Sequence, residues 1–396
     1  MQTAKLADMA AINPRLSTPL DNDELVSFLK MADVDAERGT TSAGITRRYS
    51  EVSTGYTQFT DGDILVAKIT PCFENGKVAQ AKIEHQNGSG STEFHVIRPN
   101  RGVLDARYLL HFLRQNRIRI EGERRMTGSA GQRRVPSNFL ANLEVPQPSL
   151  AAQRRIAEVL DQVDALREKR RKSIALLDDL AQSIFLDMFG DPVLNPYKWP
   201  TQRTCEIGTV TTGNTPPRTN ESLYGDELEW IKSDNIIPSE VYLTPSVEKL
   251  SSSGEKGARI AVPGSILVTC IAGSPNSIGN AAIAERRVAF NQQINALTPR
   301  TADTTFLYMQ LRVGKRLVQN KSTGGMKGLV SKSRFEAIKL ITPPIEMQRS
   351  FSARFDRLYQ TRAAHRAHEH HLDTLFSSLQ SRAFRGELWQ DDLKDL

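Results

Sequence analysis

The chain repeats itself, and the repeat limits its fold more than any other feature. "LLDDLAQSIFLDMFGD" (176–191) returns near the C-terminus as "HLDTLFSSLQSRAFRGE" (371–387). Leu177, Asp178, Leu180, Ser183 and Phe189 recur as Leu372, Asp373, Leu375, Ser378 and Phe384, all displaced by 195 positions. Toward the N-terminus the correspondence continues. "PSLAAQRRI" aligns with "PIEMQRSF", setting Gln153-Arg154 on Gln348-Arg349, and Thr127-Gly128 falls on Thr323-Gly324. Earlier still, "DARYLLHFLR" meets "DTTFLYMQLR" and "DGDILVAKI" meets "PGSILVTCI", where the displacement has drifted to 202 (Gly62 to Gly264). Small insertions in two diverging copies produce such a drift. Segments matching in the same order along the whole chain are a duplication, so the two copies are expected to share one plan.

Each copy begins with roughly 150 residues punctuated densely by Gly and Pro, with short apolar runs such as "DILVAKI" and "SILVTCI" behind turn residues, as buried strands have. A long segment free of both follows. The expected class is α+β: two mixed α/β domains at 1–149 and 191–345, two long helices at 150–190 and 346–387, and a tail at 388–396. At 396 residues there is chain enough for two cores.

From Ala151 to Phe189 the apolar residues follow a narrow heptad seam. With Ile156 at a, the a series is Ile156, Val163, Arg170, Leu177 and Ile184, and the d series is Val159, Leu166, Ser173 and Leu180. The segment, about 38 residues, would be about 57 Å long as a helix. The second copy has Phe351, Phe355 and Leu358, then a polar stretch, then Leu372, Leu375 and Leu379. Both seams turn polar in the middle, at Arg170 and Ser173 and at His365 and His368. A pseudo-two-fold axis between copies predicts antiparallel pairing, with Leu177, Leu180 and Ile184 near Phe351, Phe355 and Leu358. The length argues that the helices pair with each other rather than packing on their own domains.

The common catalytic motifs are missing from the sequence. There is no G-x-x-x-x-G-K-[ST] loop and no G-x-G-x-x-G after a strand. "NPYKWP" (195–200) lacks the second proline of an Asn-Pro-Pro-aromatic loop and reads as the linker after the first long helix. Asp63 and Lys68 in "DGDILVAK" do not have nuclease spacing, so this reads as a strand. His365, His368, His370 and His371 cluster around Glu369 without a cysteine, a poor metal set, and no metal is expected. Cys72, Cys205 and Cys270 are isolated, which suits a reducing cytoplasm. The start of the chain has no apolar signal core and no run is long enough to span a bilayer, so no membrane partner is expected.

Recognition is the reading that remains. The net charge is +7, and seven arginines lie between Arg114 and Arg134 against Glu121 and Glu123. A phosphate backbone calls for such a strip. Two unlike heads suit a bipartite, asymmetric duplex target. The candidate DNA-binding side chains of the first copy are Arg47, Arg48, Lys68, Thr70, Lys77, Arg124, Arg125, Ser129, Gln132, Arg133 and Arg134. Those of the second are Asn214, Thr215, Arg218, Lys232, Asn235, Ser274, Asn276, Gln292 and Lys327, with Asp234 and Gln293 beside them. Arg and Lys match guanine O6/N7, and Asn and Gln match adenine N6/N7. Gly128, Gly131, Gly324 and Gly325 would let backbone N–H groups approach phosphate.

At these residues the chain resembles a known family. "PSLAAQRRIAEVLDQVDALREKRRKSIALLDDLAQSIFLDMFGD" is similar to the helical conserved region of type I restriction–modification specificity subunits. "GYTQFTDGDILVAKITPCFENGKVA" and "GNTPPRTNESLYGDELEWIKSDNI" resemble two of that family's target recognition domain types. The resemblance runs from about Ala4 to about Glu387. It implies a non-catalytic reader of double-stranded DNA that binds two copies of a modification (methyltransferase) subunit and, in a restricting complex, translocase–nuclease restriction subunits. S-adenosylmethionine, ATP and Mg²⁺ would belong to those partners, and the helices would set the gap between half-targets. The second helical copy departs from the pattern, with Phe351, Phe355, Phe376 and four histidines where the first has aliphatics and charges. A methylation-only complex, a free-standing enzyme and a coiled-coil scaffold are the competing readings.

Overall fold

A computed structural model describes residues 2–16, 19–129, 131–323 and 328–388. The chain forms two compact units, and they do not follow sequence order. The first is Met1–Arg171 together with Ala367–Leu396, and the second is Lys172–Arg366.

In the first unit the buried strand Ile64–Ala67 lies between Phe94–Pro99 and Val78–Gln80, both antiparallel to it. It belongs to a six-stranded sheet continued by Ala10–Ile12 on one side and by Thr40–Thr41 and Val34–Asp35 on the other. All four of its residues are buried, so its apolar character is continuous rather than alternating. A four-stranded sheet runs in the order Ile45–Arg48, Leu25–Leu29, Asn87–Gly90, Thr57–Thr60, with its central pair parallel.

The second unit has the same plan. Ile266–Thr269, fully buried, lies between Ile294–Pro299 and Ala281–Ile283. Leu228–Ile231 runs parallel to Val288–Phe290, as Leu25–Leu29 does to Asn87–Gly90. The turn before each buried strand places Gly62 and Gly264 at φ 87° and 85°, a conformation costly for any residue with a Cβ. Asp63 accepts from the Thr60 backbone N–H (2.8 Å) and takes the Arg98 guanidinium as a fork at 2.8 and 2.7 Å. It closes a turn and holds a sheet residue.

The repeated Gln-Arg pair has a structural cause. The Gln153 side chain accepts from the Asp105 N–H (2.8 Å) and donates to the carbonyls of Val103 and Pro148 at 3.0 and 3.1 Å. Gln348 accepts from the Asp303 N–H (3.0 Å) and donates to the Pro343 carbonyl (2.7 Å). Asp105 and Asp303 in turn cap the helices Ala106–Leu113 and Thr304–Val313. Each buried glutamine therefore satisfies backbone groups at the junction of a short helix and a long one.

The long helices are Leu150–Phe189 and Ile345–Arg385. In each unit their segments pair antiparallel. In the first, Arg167 meets Asp373 (2.6 Å) and Arg171 meets Glu369 (2.9 Å), so four residues forward on one helix is four back on the other. In the second, Asp178 meets Arg362 (3.0 Å) and, further on, Phe185 meets Phe351 (5.4 Å between rings).

The seam differs from the sequence expectation. Ile156 and Val163 are buried and Ile184, Leu358 and Leu372 are packed at the edge of the cores, but Leu166, Leu180 and Leu375 are 50%, 44% and 45% exposed. Leu177 is only half-buried and Val159 packs at the core's edge. The companion of each a residue lies four positions on rather than three: Leu160, Arg167 and Ala181 take the places assigned to Val159, Leu166 and Leu180, and Phe376 takes that of Leu375. Ala157, Ala181 and Ala383 are buried within the two cores, a contribution that a count of large aliphatics overlooks. Helix length does not keep the helices off the domains either. Ile156, Leu160, Leu379 and Phe384 join the first domain's core, and Phe185, Phe189, Phe351 and Phe355 join the second's.

The linker reading of "NPYKWP" agrees with its geometry. Gly190 ends the helix at φ 75°, and the Trp199 indole N–H donates to the Phe189 carbonyl (3.1 Å). No helix among the described residues is long and apolar enough to cross a membrane.

Candidate nucleic-acid interface

In the first unit, residues 133–135 dock on the segment that leaves the buried strand Ile64–Ala67. Thr70 N–H donates to the Arg133 carbonyl (2.9 Å), Val135 N–H to the Lys68 carbonyl (2.8 Å), and Ile69 and Arg134 form an antiparallel bridge. Buried His95 fixes the same loop from below, with Nε2 donating to the Val135 carbonyl (2.9 Å). Its Nδ1 therefore accepts from the Asn13 amide (3.2 Å) and the ring is neutral, consistent with burial pushing its pKa down.

Lys68, Thr70, Gln132, Arg133 and Arg134 are thus brought together, with exposed Ser129 at the loop's turn. Two carboxylates organise them. Glu93 takes the Arg134 fork at 2.9 and 2.8 Å, and that hydrogen bond holds its carboxyl below the usual range. Glu74 accepts from the Thr70 hydroxyl (2.9 Å) and lies 3.5 Å from Arg133.

Other candidates lie elsewhere. Arg47 and Arg48 sit on the edge strand Ile45–Arg48, paired with Glu51 (3.4 Å) and Asp23 (2.7 Å). Lys77 donates to the Met31 carbonyl (2.7 Å). Arg124 and Arg125 end the helix Asn116–Arg124, and Arg125 pairs with Glu121 (2.9 Å) and lies over Phe139 (5.7 Å). The arginine strip is less uniform than its sequence implies. Arg114, 12% exposed, is an internal tie to Asp164 (3.0 Å) and to the carbonyls of Ala36 and Glu37.

In the second unit a corresponding junction forms. Ile271–Ala272, leaving the buried strand, pairs with Gly328–Leu329, and the Gln293 carbonyl accepts from both Cys270 and Ile271 N–H. The Gln293 side chain accepts from the Ser233 hydroxyl (3.2 Å), and Thr215 donates to Gln292. Asn214 is structural: its amide donates to the Gly257 carbonyl (2.9 Å) and accepts from Arg259 N–H (2.8 Å). Asn235 closes a turn on Lys232 N–H (3.0 Å). Ser274 and Asn276 are exposed, the latter with its carbonyl on Lys315. A cavity of about 330 Å³ lies over Pro275, Asn276, Ile278 and Gln319. Lys327, Gly324 and Gly325 lie outside the described residues, as do 389–396 of the expected tail.

Sequence reasoning missed Glu74, Glu93 and Glu248, which anchor the cations, and Tyr224 and Trp230, which stack on one. No local signal marks them, because each reaches its partner across a sheet or loop. Within the histidine cluster Glu369 pairs with Arg171 (2.9 Å), and among the described residues no group of three or more His, Cys, Asp and Glu could hold a metal.

Comparison with known proteins agrees with the duplicated plan. The family model described as the type I restriction modification DNA specificity domain matches residues 1–176 and again 196–372. The type I restriction enzyme EcoAI specificity subunit of Escherichia coli is 37% identical over 175 residues, covering 44% of this chain and 30% of that protein. The EcoEI specificity subunit of the same organism is also 37% identical over 175 residues, covering 44% and 29%. The match thus spans about 30% of the length of these curated relatives. Among solved structures, a chain from work on complex assembly and conformational transition of the type I R-M system superposes with a TM-score of 0.59 at 20% identity, covering 98% of both chains. The type I restriction-modification S subunit from M. genitalium gives 0.56 at 14% identity, covering 97% and 96%. These two likenesses concern the fold.

Proposed function

This chain belongs to the family of type I restriction modification DNA specificity proteins, and on that premise we propose that it reads a bipartite, asymmetric sequence in duplex DNA, one half with each unit. The observation that carries the reading is the loop junction at the end of each buried strand. In the first unit it gathers Lys68, Thr70, Gln132, Arg133 and Arg134, and in the second Thr215, Ser233, Gln292 and Gln293. Each set sits over a sheet, the arrangement in which a scaffold presents groups that read bases or hold phosphates. The junctions differ in composition, so the half-targets differ.

In this reading the chain carries no catalysis. Methyl transfer and, in a restricting complex, translocation and cleavage belong to modification and restriction subunits, along with S-adenosylmethionine, ATP and Mg²⁺. The long helices, each of which contributes residues to both units, set the gap between half-targets and dock the modification subunits.

Selection of duplexes from a random-sequence library by the purified chain tests the core of this. A two-part motif, bound with an affinity that falls steeply with salt, is expected. A flat salt response would favour a protein-binding scaffold, and methyl transfer or cleavage by the chain alone would make it an enzyme.

A further inference from the structure

The second unit holds one arginine in a manner unlike any other candidate. The Arg218 guanidinium lies 4.9 Å from the ring of Tyr224 and 5.0 Å from that of Trp230, and its Nη2 is 2.8 Å from Glu248. Trp230 is almost fully buried and is fixed by its indole N–H on the Asn214 carbonyl (3.3 Å). The Tyr224 hydroxyl donates to the Pro216 carbonyl (2.8 Å). Glu248 is itself anchored by Lys232, whose ammonium also lies over Trp230 (5.2 Å). Two rings and a carboxylate thus hold the guanidinium on a side chain that remains 56% exposed.

We propose that Arg218 is a guanine-reading residue of the second unit, with Tyr224, Trp230 and Glu248 as its positioning residues. The inference rests on the DNA-reading proposal and deepens it. An arginine that only touches phosphate needs charge and reach, which a mobile side chain supplies. Bidentate recognition of guanine O6 and N7 needs a planar fork at a set angle, and two rings and a carboxylate around the guanidinium restrict its movement in advance of binding. Glu248 engages one nitrogen, leaving further N–H donors of the fork to face outward. The surroundings fit: Thr215, Gln292 and Lys232 belong to the same loop cluster. In the four-stranded sheet of the first unit, Phe28 packs edge-on against Tyr56 (4.9 Å). Among the described residues neither of those rings has a cation over it, so the clamp is a property of one reading head.

Library selection with the full chain, comparing wild type with R218A, R218K and E248Q, tests this. Wild type should select a motif with a guanine in one half. R218A should accept any base at that position, leave the other half unchanged, and bind the original duplex roughly 10- to 100-fold more weakly. R218K keeps the charge and should fail to restore guanine selection. E248Q should weaken selection at that same position while its thermal midpoint stays that of wild type. The inference is overturned if R218A keeps every base preference, if it weakens all duplexes equally, if R218K behaves as wild type, or if no guanine occurs in either half. A wild-type chain that selects no motif ends the DNA-reading proposal and this inference together, a result distinguishable from those.

Discussion

The ring of Phe384 lies 5.0 Å from that of Tyr108, at an interplanar angle of 48°. Phe384 ends the second long helix, yet it fills the core of the first domain, where it also meets Phe112 (5.4 Å). Its repeat counterpart, Phe189, ends the first long helix and meets Phe306 of the second domain at 4.8 Å. Each copy of the duplicated unit therefore closes its partner's core. The chain ends with an echo of its middle because each domain needs the same plug.

Phe384→Ala should destabilise the first unit by about 3–5 kcal/mol, the cost of truncating a buried aromatic ring. Phe189→Ala should do the same to the second unit. Limited proteolysis with mass spectrometry reads which unit opens. Cleavage of the second domain in the Phe384 variant would refute the exchange.

The observed seam can be tested at adjacent positions. Leu180→Glu, at a residue 44% exposed, should shift the urea midpoint little. Ala181→Glu, at a residue 6% exposed, buries a charge in the core that holds Phe185 and Phe351 and should lower the midpoint strongly. Equal effects would favour the heptad expected from the sequence.

Gln153→Glu removes two donors while keeping the acceptor for Asp105. The part-buried carbonyls of Val103 and Pro148 lose their partner, at about 1 kcal/mol for each bond removed. Gln348→Glu leaves the buried Pro343 carbonyl unpaired, at about 1–3 kcal/mol. Calorimetric unfolding should show a loss in both variants, and an unchanged midpoint in either would contradict the geometry.

The first unit should lose stability in mild acid. Burial pushes the His111 pKa below its ordinary 6.5, and its Nε2, donating to Asp161 (2.8 Å), leaves Nδ1 without a partner to receive a second proton's bond. The unfolded chain thus takes up a proton that the native ring refuses. Its contribution is complete above 6.5 and is lost as pH falls from there toward the lower folded value. Asp161 acts in a separate window: burial works to raise its pKa, but hydrogen bonds from His111 and Arg107 outweigh this and hold it at about 2, so its contribution is lost only from 3.8 downward. Urea midpoints at about pH 7.5 and about pH 5.5, on either side of the unfolded value, should differ for wild type and differ less for His111→Gln. An unchanged difference would exclude His111 as the titrating group.

Within the DNA-reading proposal Arg133 is assigned to phosphate rather than to a base, and removing such a cation has its own signature. Arg133→Ala, at an exposed arginine loosely held by Glu74, should reduce the slope of log affinity against log salt by about 1 without altering the selected motif. A changed motif would make Arg133 a base reader instead.

The duplication, the α+β class, the two long helices and the loops in which polar residues gather were all legible in the chain alone. They follow from local periodicity and from matches between the copies. Even the Gln153–Gln348 correspondence was visible, although its reason, a buried amide satisfying backbone groups, was not. Which side chains meet was settled by the folded arrangement. The seam lies one residue from its expected course because Leu160, Arg167, Ala181 and Phe376, rather than Val159, Leu166, Leu180 and Leu375, occupy the packed side of the helices. Glu74, Glu93 and Glu248 emerged as anchors because ion pairs form across strands that are distant in the chain. The exchange of Phe189 and Phe384 was likewise invisible to periodicity, which says that a helix end is apolar and is silent about whose core it fills.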